Sequence, residues 1–317
     1  MLDALLDRSI VFSFDRTGHR RHARRFAAHD LDVDLRGRVC LVTGASSGLG
    51  VEITRGLFTR GADVAMLCRD VPKGEAVRAA LLRDGGTGSL AVHRVDVSDF
   101  ASVRAFAAGF AGRVDVLVHN AGVLPLAAST TGDGLELAVA TNLVGPFLLT
   151  HLLWPRMLAS TEPRLVHVSS GGMYSERLDV EALFAPPPAK GYDGVVAYAR
   201  TKRAQVVLAE LLHARFPAVR SSSMHPGWAD TPGVLTSLPR FHALTRAILR
   251  TPAEGADTAV WLAASPAAAH PDGRFHFDRA PQDTHRLART RETAGERAKL
   301  WDALCARIGV DAERFGA

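Results

Sequence analysis

The stretch RVCLVTGASSGLG, residues 38–50, decides the fold. Its first part, RVCLVTG at 38–44, is a short β-branched apolar run, as expected of a strand buried on both faces. The turn TGASSGLG, Thr43 to Gly50, follows at once. A helical stripe then runs from about Gly48 to Arg60, with Ile53 and Leu57 on one face and Gly61 placed as a C-cap. Strand, glycine turn and helix together form the entry to a βαβ unit.

The alternation continues outward. Strand ADVAMLC (62–68) precedes a helix at 73–84, strand SLAVHRVDV (89–97) a helix at 99–111, and strand VDVLVH (114–119) a long helix around 134–159. Strand RLVHVSS (164–170) leads into an irregular segment, 171–194, whose Pro186, Pro187 and Pro188 mark a surface excursion. A helix at 195–215 carries Val196, Ala199, Ala204, Val207, Leu208, Leu211 and Leu212 at core spacing, and strand AVRSSSMH (218–225) follows it. Residues 232–250 are apolar but broken by proline. TPAE at 251–254 is a capping-box start for a helix ending near Ser265, and GRFHF (273–277) is a last short strand.

This pattern predicts an α/β fold: a doubly wound, Rossmann-type parallel sheet in a three-layer α/β/α arrangement, as one domain over 37–280. Residues 1–36 read as an N-terminal extension. Residues 281–317 read as a C-terminal extension with a helix around 292–308.

Composition sets the class. With 317 residues, 47% hydrophobic and 22% charged, the chain reads as a soluble globular protein with a sizeable core. Cys40, Cys68 and Cys305 lie far apart in no metal-like spacing, which favours a reducing compartment and no bound metal. The N-terminus carries Asp3 and Asp7 where a signal peptide would be basic. His119, His151 and several prolines interrupt the best apolar runs, so no transmembrane segment is expected and the expected location is cytoplasmic. A net charge of +5 and the basic run HRRHARR (19–25) come without aromatic interleaving or finger spacing, which argues against nucleic acid as partner.

The glycine turn sits where a doubly wound sheet binds a dinucleotide's pyrophosphate. Glycines admit the phosphates to the backbone, and the helix N-terminus offers N–H donors. Gly44, Ser46, Ser47, Gly48, Leu49 and Gly50 are the candidates there, although Gly44-x-x-x-Gly48-x-Gly50 differs from the G-x-G-x-x-G fingerprint. The second strand runs into Cys68 and Arg69 rather than a carboxylate, which favours a 2′-phosphate and hence NADP(H) over NAD(H). Asp96 and Val97 end the third strand at the same edge, within reach of an adenine. Among three tyrosines only Tyr198 has a lysine four residues on, in YARTK at 198–202. Residues i and i+4 share a helix face, and a fixed cation beside a phenol lowers its pKa from about 10 toward working pH.

Taken in order, Thr43 to Gly50, His119-Asn120-Ala121-Gly122, Asn142, Ser169-Ser170, Tyr198-x-x-x-Lys202 and Pro226-Gly227 resemble the short-chain dehydrogenases/reductases over about 37 to 280. SSGGM (169–173), KRAQVVL (202–208) and MHPGWADTPG (224–233) further resemble its family member 12 subgroup. The resemblance implies Tyr198 as general acid or base, Lys202 lowering its pKa and binding the nicotinamide ribose, and Ser170 polarising the substrate oxygen. It also implies Asn142 positioning a relay water behind Lys202. Asn120 would line the adenosine side, Ala121 and Gly122 beside it would also bind the cofactor, and Pro226, Gly227 and Thr231 would contact the nicotinamide half. Two departures stand out: His119 replaces the usual asparagine, and the gap from Ser170 to Tyr198 is long, which leaves Ser169 as an alternative to Ser170.

The expected function is therefore NADP(H)-dependent interconversion of a carbonyl and an alcohol. Residues 232–250, with Val234, Leu235, Leu238, Phe241, Leu244 and Ile248, would form a lid over a lipophilic substrate. The resemblance allows a homo-oligomer through helices of this kind, a surface the terminal extensions could block or replace. The alternatives are a catalytically idle NADP-binding module acting through protein partners, or a basic N-terminal arm that binds acidic membrane or nucleic acid.

Overall fold

The computed structural model describes residues 6–7, 9–188, 190–269 and 273–316. Of the 1–36 stretch, residues 1–5 and 8 lie outside the described residues, as does Ala317 at the other end. One sheet contains β1 (Val39–Thr43), β2 (Asp63–Cys68), β3 (Ser89–Arg94), β4 (Val116–His119), β5 (Arg164–Val168), β6 (Arg220–Met224), β7 (Phe275–Phe277) and β8 (Ala280–Gln282). Their order is β3-β2-β1-β4-β5-β6-β7-β8, with only the β7–β8 pair antiparallel. The order reverses between β1 and β4, which opens a crevice at the carboxyl ends of the strands.

The helices are α1 (Ile10–Phe14), α2 (Arg16–Ala23), α3 (Leu49–Phe58), α4 (Val71–Asp84), α5 (Phe100–Gly109), α6 (Leu137–Leu158), α7 (Val180–Phe184), α8 (Gly194–Arg215), α9 (Pro232–Ser237), α10 (Pro239–Thr245), α11 (Pro252–Ala264) and α12 (Ala294–Ile308). Successive strand residues face opposite sides of the sheet. Leu41, Leu117 and Leu165 therefore enter a core with Phe147 and Leu148 of α6 and Val207 and Leu208 of α8. Cys40, Val42, Val118 and Val166 face Ile53 and Leu57 of α3 and Val260 and Trp261 of α11. The result is the three-layer, doubly wound fold expected from the sequence. The expected capping box also forms: Thr251 accepts from the Glu254 N–H while the Glu254 carboxylate accepts from the Thr251 N–H.

Several features depart from the sequence reading. Segment 171–194 is not simply a surface excursion. It forms a 3₁₀ turn at Gly171–Ser175 and then α7, burying Met173, Tyr174, Leu178 and Leu183. Residues 176–179, the triple proline and 190–193 stay outside regular structure. Strand β8 went unread because Pro281 sits in it, and an edge strand tolerates a missing N–H.

The expectation that no stretch is long and apolar enough to span a membrane also needs correction. Helix α6, 22 residues long, is so by length and composition, with 83% of its apolar window buried inside the protein. Pro146 falls in the first turn after a π-helical turn at Ala140–Val144, and Pro155 sits within the helix without ending it. The described parts of both terminal segments pack against the domain. Leu300, Trp301 and Leu304 of α12 join the α6–α8 core, and Phe14 packs in a third cluster with Met173, Tyr174, Phe275 and Phe277.

Candidate active site

The turn between β1 and α3 is shaped by crowding that only glycine permits. Gly44 and Gly48 have φ of +66° and +54°, and a Cβ on Gly50 would lie 2.2 Å from the Gly44 carbonyl oxygen. A Cβ on Gly44 would lie 3.0 Å from Ala121 Cα, and one on Gly48 would lie 3.3 Å from the Thr231 side chain. The turn, the Asn120-Ala121-Gly122 loop and Thr231 therefore converge. Thr43 Oγ1 accepts the N–H groups of Asn120 and Ala121, both at 3.0 Å. Asn120 Nδ2 donates to the Thr43 carbonyl at 2.9 Å, so the Asn120 amide shapes the turn itself. No side chain caps the start of α3, which leaves its first N–H groups directed at the turn. This glycine cradle fits a pyrophosphate.

Other candidates line the same edge. Ser46 hydrogen-bonds Cys68 at the end of β2, and the Ser47 carbonyl accepts the Gly50 N–H at 3.1 Å. Arg69 is exposed just past β2 and stands 4.0 Å from the Asp96 carboxylate. The neighbouring Asp70 is committed to capping α4, accepting the Lys73 N–H at 3.0 Å. Val97 is buried, with its carbonyl packed against Gly145 of α6.

On the other side of β1, Asp193 caps α8 by accepting the N–H groups of Val195 and Val196. This places Tyr198 in the second turn, half-buried, with its phenol facing the Ser170 hydroxyl. Ser169 is occupied elsewhere, donating to the Lys202 carbonyl at 2.8 Å. Of the two serines, only Ser170 meets the phenol. Tyr174 and Tyr192 give their hydroxyls to the Asp283 carbonyl and the Glu136 carboxylate. Lys202 is 2% exposed, donates to the Val168 carbonyl at 2.9 Å and stands 5.4 Å from the Tyr198 ring centroid.

The electrostatics differ from the sequence argument in one respect. Burial pushes the Tyr198 phenol above its ordinary value, with the Ser170 hydrogen bond acting the other way. Burial also pulls Lys202 down to about 7. The spacing does bring the pair together, but Lys202 faces the ring and a backbone carbonyl, and desolvation outweighs its field at the phenol.

Asn142 lies inside the π-helical turn of α6, fully buried. Its Oδ1 accepts the Val123 N–H at 2.8 Å, and its Nδ2 donates to the Val123 carbonyl and to Thr201 Oγ1, both at 3.0 Å. Its carbonyl accepts Gln205 Nε2 at 2.6 Å. Its side-chain amide and carbonyl thus have protein partners, joining the Gly122 loop to α8. Gly122 is the contact between them: a Cβ there would lie 3.4 Å from both Asn142 Oδ1 and Lys202 Nζ. Pro226 borders Leu49 across Gly255, Gly227 has φ +70°, and Thr231 caps α9.

The sequence reading missed Thr201, Gln205, Phe14 and Arg250. Gln205 had a signal, a polar residue on an apolar stripe. Phe14 had none. His119, the departure noted in the sequence, pairs with Thr150 Oγ1 at 2.7 Å. Among the described residues no three His, Cys, Asp or Glu side chains are arranged to hold a metal.

The short chain dehydrogenase family model matches residues 38–178. Dehydrogenase/reductase SDR family member 12 from Homo sapiens is 40% identical over 309 residues, covering 94% of this chain and 97% of its own. Retinol dehydrogenase 11 from Homo sapiens is 34% identical over 285 residues, covering 88% of each. A crystal structure of an uncharacterized protein from Mycobacterium paratuberculosis superposes with a TM-score of 0.72 at 30% identity, covering 90% of this chain and 98% of that one. The chain belongs to the short-chain dehydrogenase/reductase family, oxidoreductases that act on CH–OH groups with NAD or NADP. Within that family it groups with the member 12 proteins.

Proposed function

We propose that this chain is an NADP(H)-dependent enzyme that interconverts a lipophilic carbonyl compound and its alcohol, with Tyr198 as general acid and base. The observation that carries this reading is the meeting of Ser170, Tyr198 and Lys202 beside the glycine cradle. When bound, the nicotinamide supplies or takes up the hydride. In reduction the Tyr198 O–H bond breaks as the substrate O–H bond forms, and Ser170 donates to the same oxygen. The phenolate left behind lies beside Lys202, whose ammonium offsets the new charge.

Arg69 at the end of β2, with Asp70 already engaged in capping, supports the 2′-phosphate and hence NADP(H). The lid, α9 and α10, bears Val234, Leu235, Leu238, Phe241, Leu244 and Ile248 on or beside it, which together with the retinol dehydrogenase relative supports a lipophilic substrate.

The test is NADPH turnover against hydrophobic aldehydes and ketones, with Tyr198→Phe alongside. The expected result is turnover by the natural chain and a loss of about 10²- to 10⁴-fold in the variant, with NADPH still bound. Equal rates remove Tyr198 from the mechanism. NADPH binding without turnover of any substrate overturns the reading in favour of an idle binding module.

A further inference from the structure

Ser170 is placed by the turn that follows it. It caps the 3₁₀ turn Gly171–Ser175, its Oγ accepting the Gly172 N–H at 3.2 Å while it also meets the Tyr198 phenol. A 3₁₀ turn with two glycines has little stiffness of its own. Something else must hold it.

The structure supplies that support from far away in the sequence. The ring of Phe14 lies on Gly171 so closely that a Cβ there would come within 2.5 Å of Phe14 Cε2. The same ring packs edge-on against Trp228 and Phe277, with centroids at 6.3 and 5.2 Å. Its backbone is fixed too: the Phe14 carbonyl accepts the Trp228 N–H at 2.8 Å and Arg250 Nε at 2.9 Å. Arg250 also holds the carbonyls of Ser13 and Asp15. Trp228 follows the Pro226-Gly227 pair directly, and Arg250 ends the lid segment.

We propose that Phe14 is a positioning residue of the active site, acting through Gly171 to aim the Ser170 hydroxyl at the reacting oxygen. The N-terminal segment then belongs to the catalytic apparatus, although it lies outside the residues the family model matches. Phe14 is 2% exposed and buried among protein groups, so its effect passes through Ser170 rather than through substrate contact. This inference rests on the carbonyl-reductase reading above.

The test is a double-mutant cycle on the full chain, measured as kcat and KM for one carbonyl substrate. Phe14→Ala is expected to lower kcat about 10- to 100-fold with the NADPH KM little changed, the size of effect a misplaced catalytic group produces. In a Ser170→Ala background the same change is expected to cost about twofold at most, because the group it positions is already gone. Gly171→Ala, which pushes the ring off from the other side, reproduces the loss in a chain that keeps Phe14, and Phe14→Tyr restores most of it.

A full additive loss of kcat from Phe14→Ala in both backgrounds overturns the inference and leaves a packing role only. So does a fall in kcat that merely tracks the folded fraction read by circular dichroism. If Tyr198→Phe is inactive while the cycle is additive, this inference fails alone. If Tyr198→Phe is fully active, the underlying reading fails.

Discussion

Lys202 and Arg250 are both cations taken almost wholly out of water, and the fold treats them oppositely. Arg250 is fully buried and each of its nitrogens has a partner: Nε donates to the Phe14 and Asp15 carbonyls, Nη2 to the Ser13 carbonyl, and a fork from Nη1 and Nη2 grips Asp278 at 2.5 and 2.9 Å. Burial pushes Asp278 up, yet His22 and Arg250 hold its carboxyl down at about 2, so that carboxyl stays ionised. Lys202 is matched by one backbone carbonyl and a ring face, and burial brings it to about 7. A compensated charge builds structure. One left partly uncompensated titrates near neutrality, which is where proton chemistry needs it.

The largest expected effect breaks the compensated side. Arg250→Met leaves the buried Asp278 carboxylate with His22 alone and costs about 3–5 kcal/mol in urea unfolding. Lys202→Met is expected to do the reverse, raising stability at neutral pH while abolishing turnover at least about 100-fold. The pH dependence carries the sign. The folded pKa of Lys202, about 7, lies below its unfolded value of about 10.4, so between the two the unfolded chain holds the extra proton. Stability should therefore climb from pH 7 toward 10 in the natural chain, and Lys202→Met should flatten that climb. A climb that persists unchanged in the variant removes Lys202 as its source.

A smaller effect sharpens the contrast. Although burial pulls His22 down, Asp278 and Asp7 raise it overall. Its stabilisation is therefore complete below its ordinary value near 6.5 and fades as pH rises through the raised one. His22→Gln should cost about 1 kcal/mol at pH 6 and less at pH 9, by the same unfolding measurement. The smallest effect is Ser169→Ala, about 1 kcal/mol or less for one buried hydrogen bond, with turnover kept.

What the sequence disclosed follows how local each feature is. The glycine cradle, the strands and the Tyr198–Lys202 face all rest on neighbours within one or two turns, so spacing alone exposed them. The seat of Ser170 rests on Phe14, and Arg250 bonds a carbonyl 236 residues away, for which no periodicity exists. The direction of the Tyr198 shift was misread for a related reason. Spacing shows that two groups are near, but not which side of a ring a cation takes, nor how much water both have lost. Segment 171–194 looked exposed because its three prolines outweighed the scattered Met173, Tyr174, Leu178 and Leu183.

The clasp at Arg250 also sets an order of events at the ribosome. Phe14 emerges early, but its seat needs Gly171, Trp228, Arg250 and a carboxylate at Asp278, so a stretch synthesised early is among the last to dock. At about 10 residues per second that wait is roughly half a minute. Throughout it the Phe14 ring, almost wholly buried once the chain is folded, stays without its aromatic neighbours.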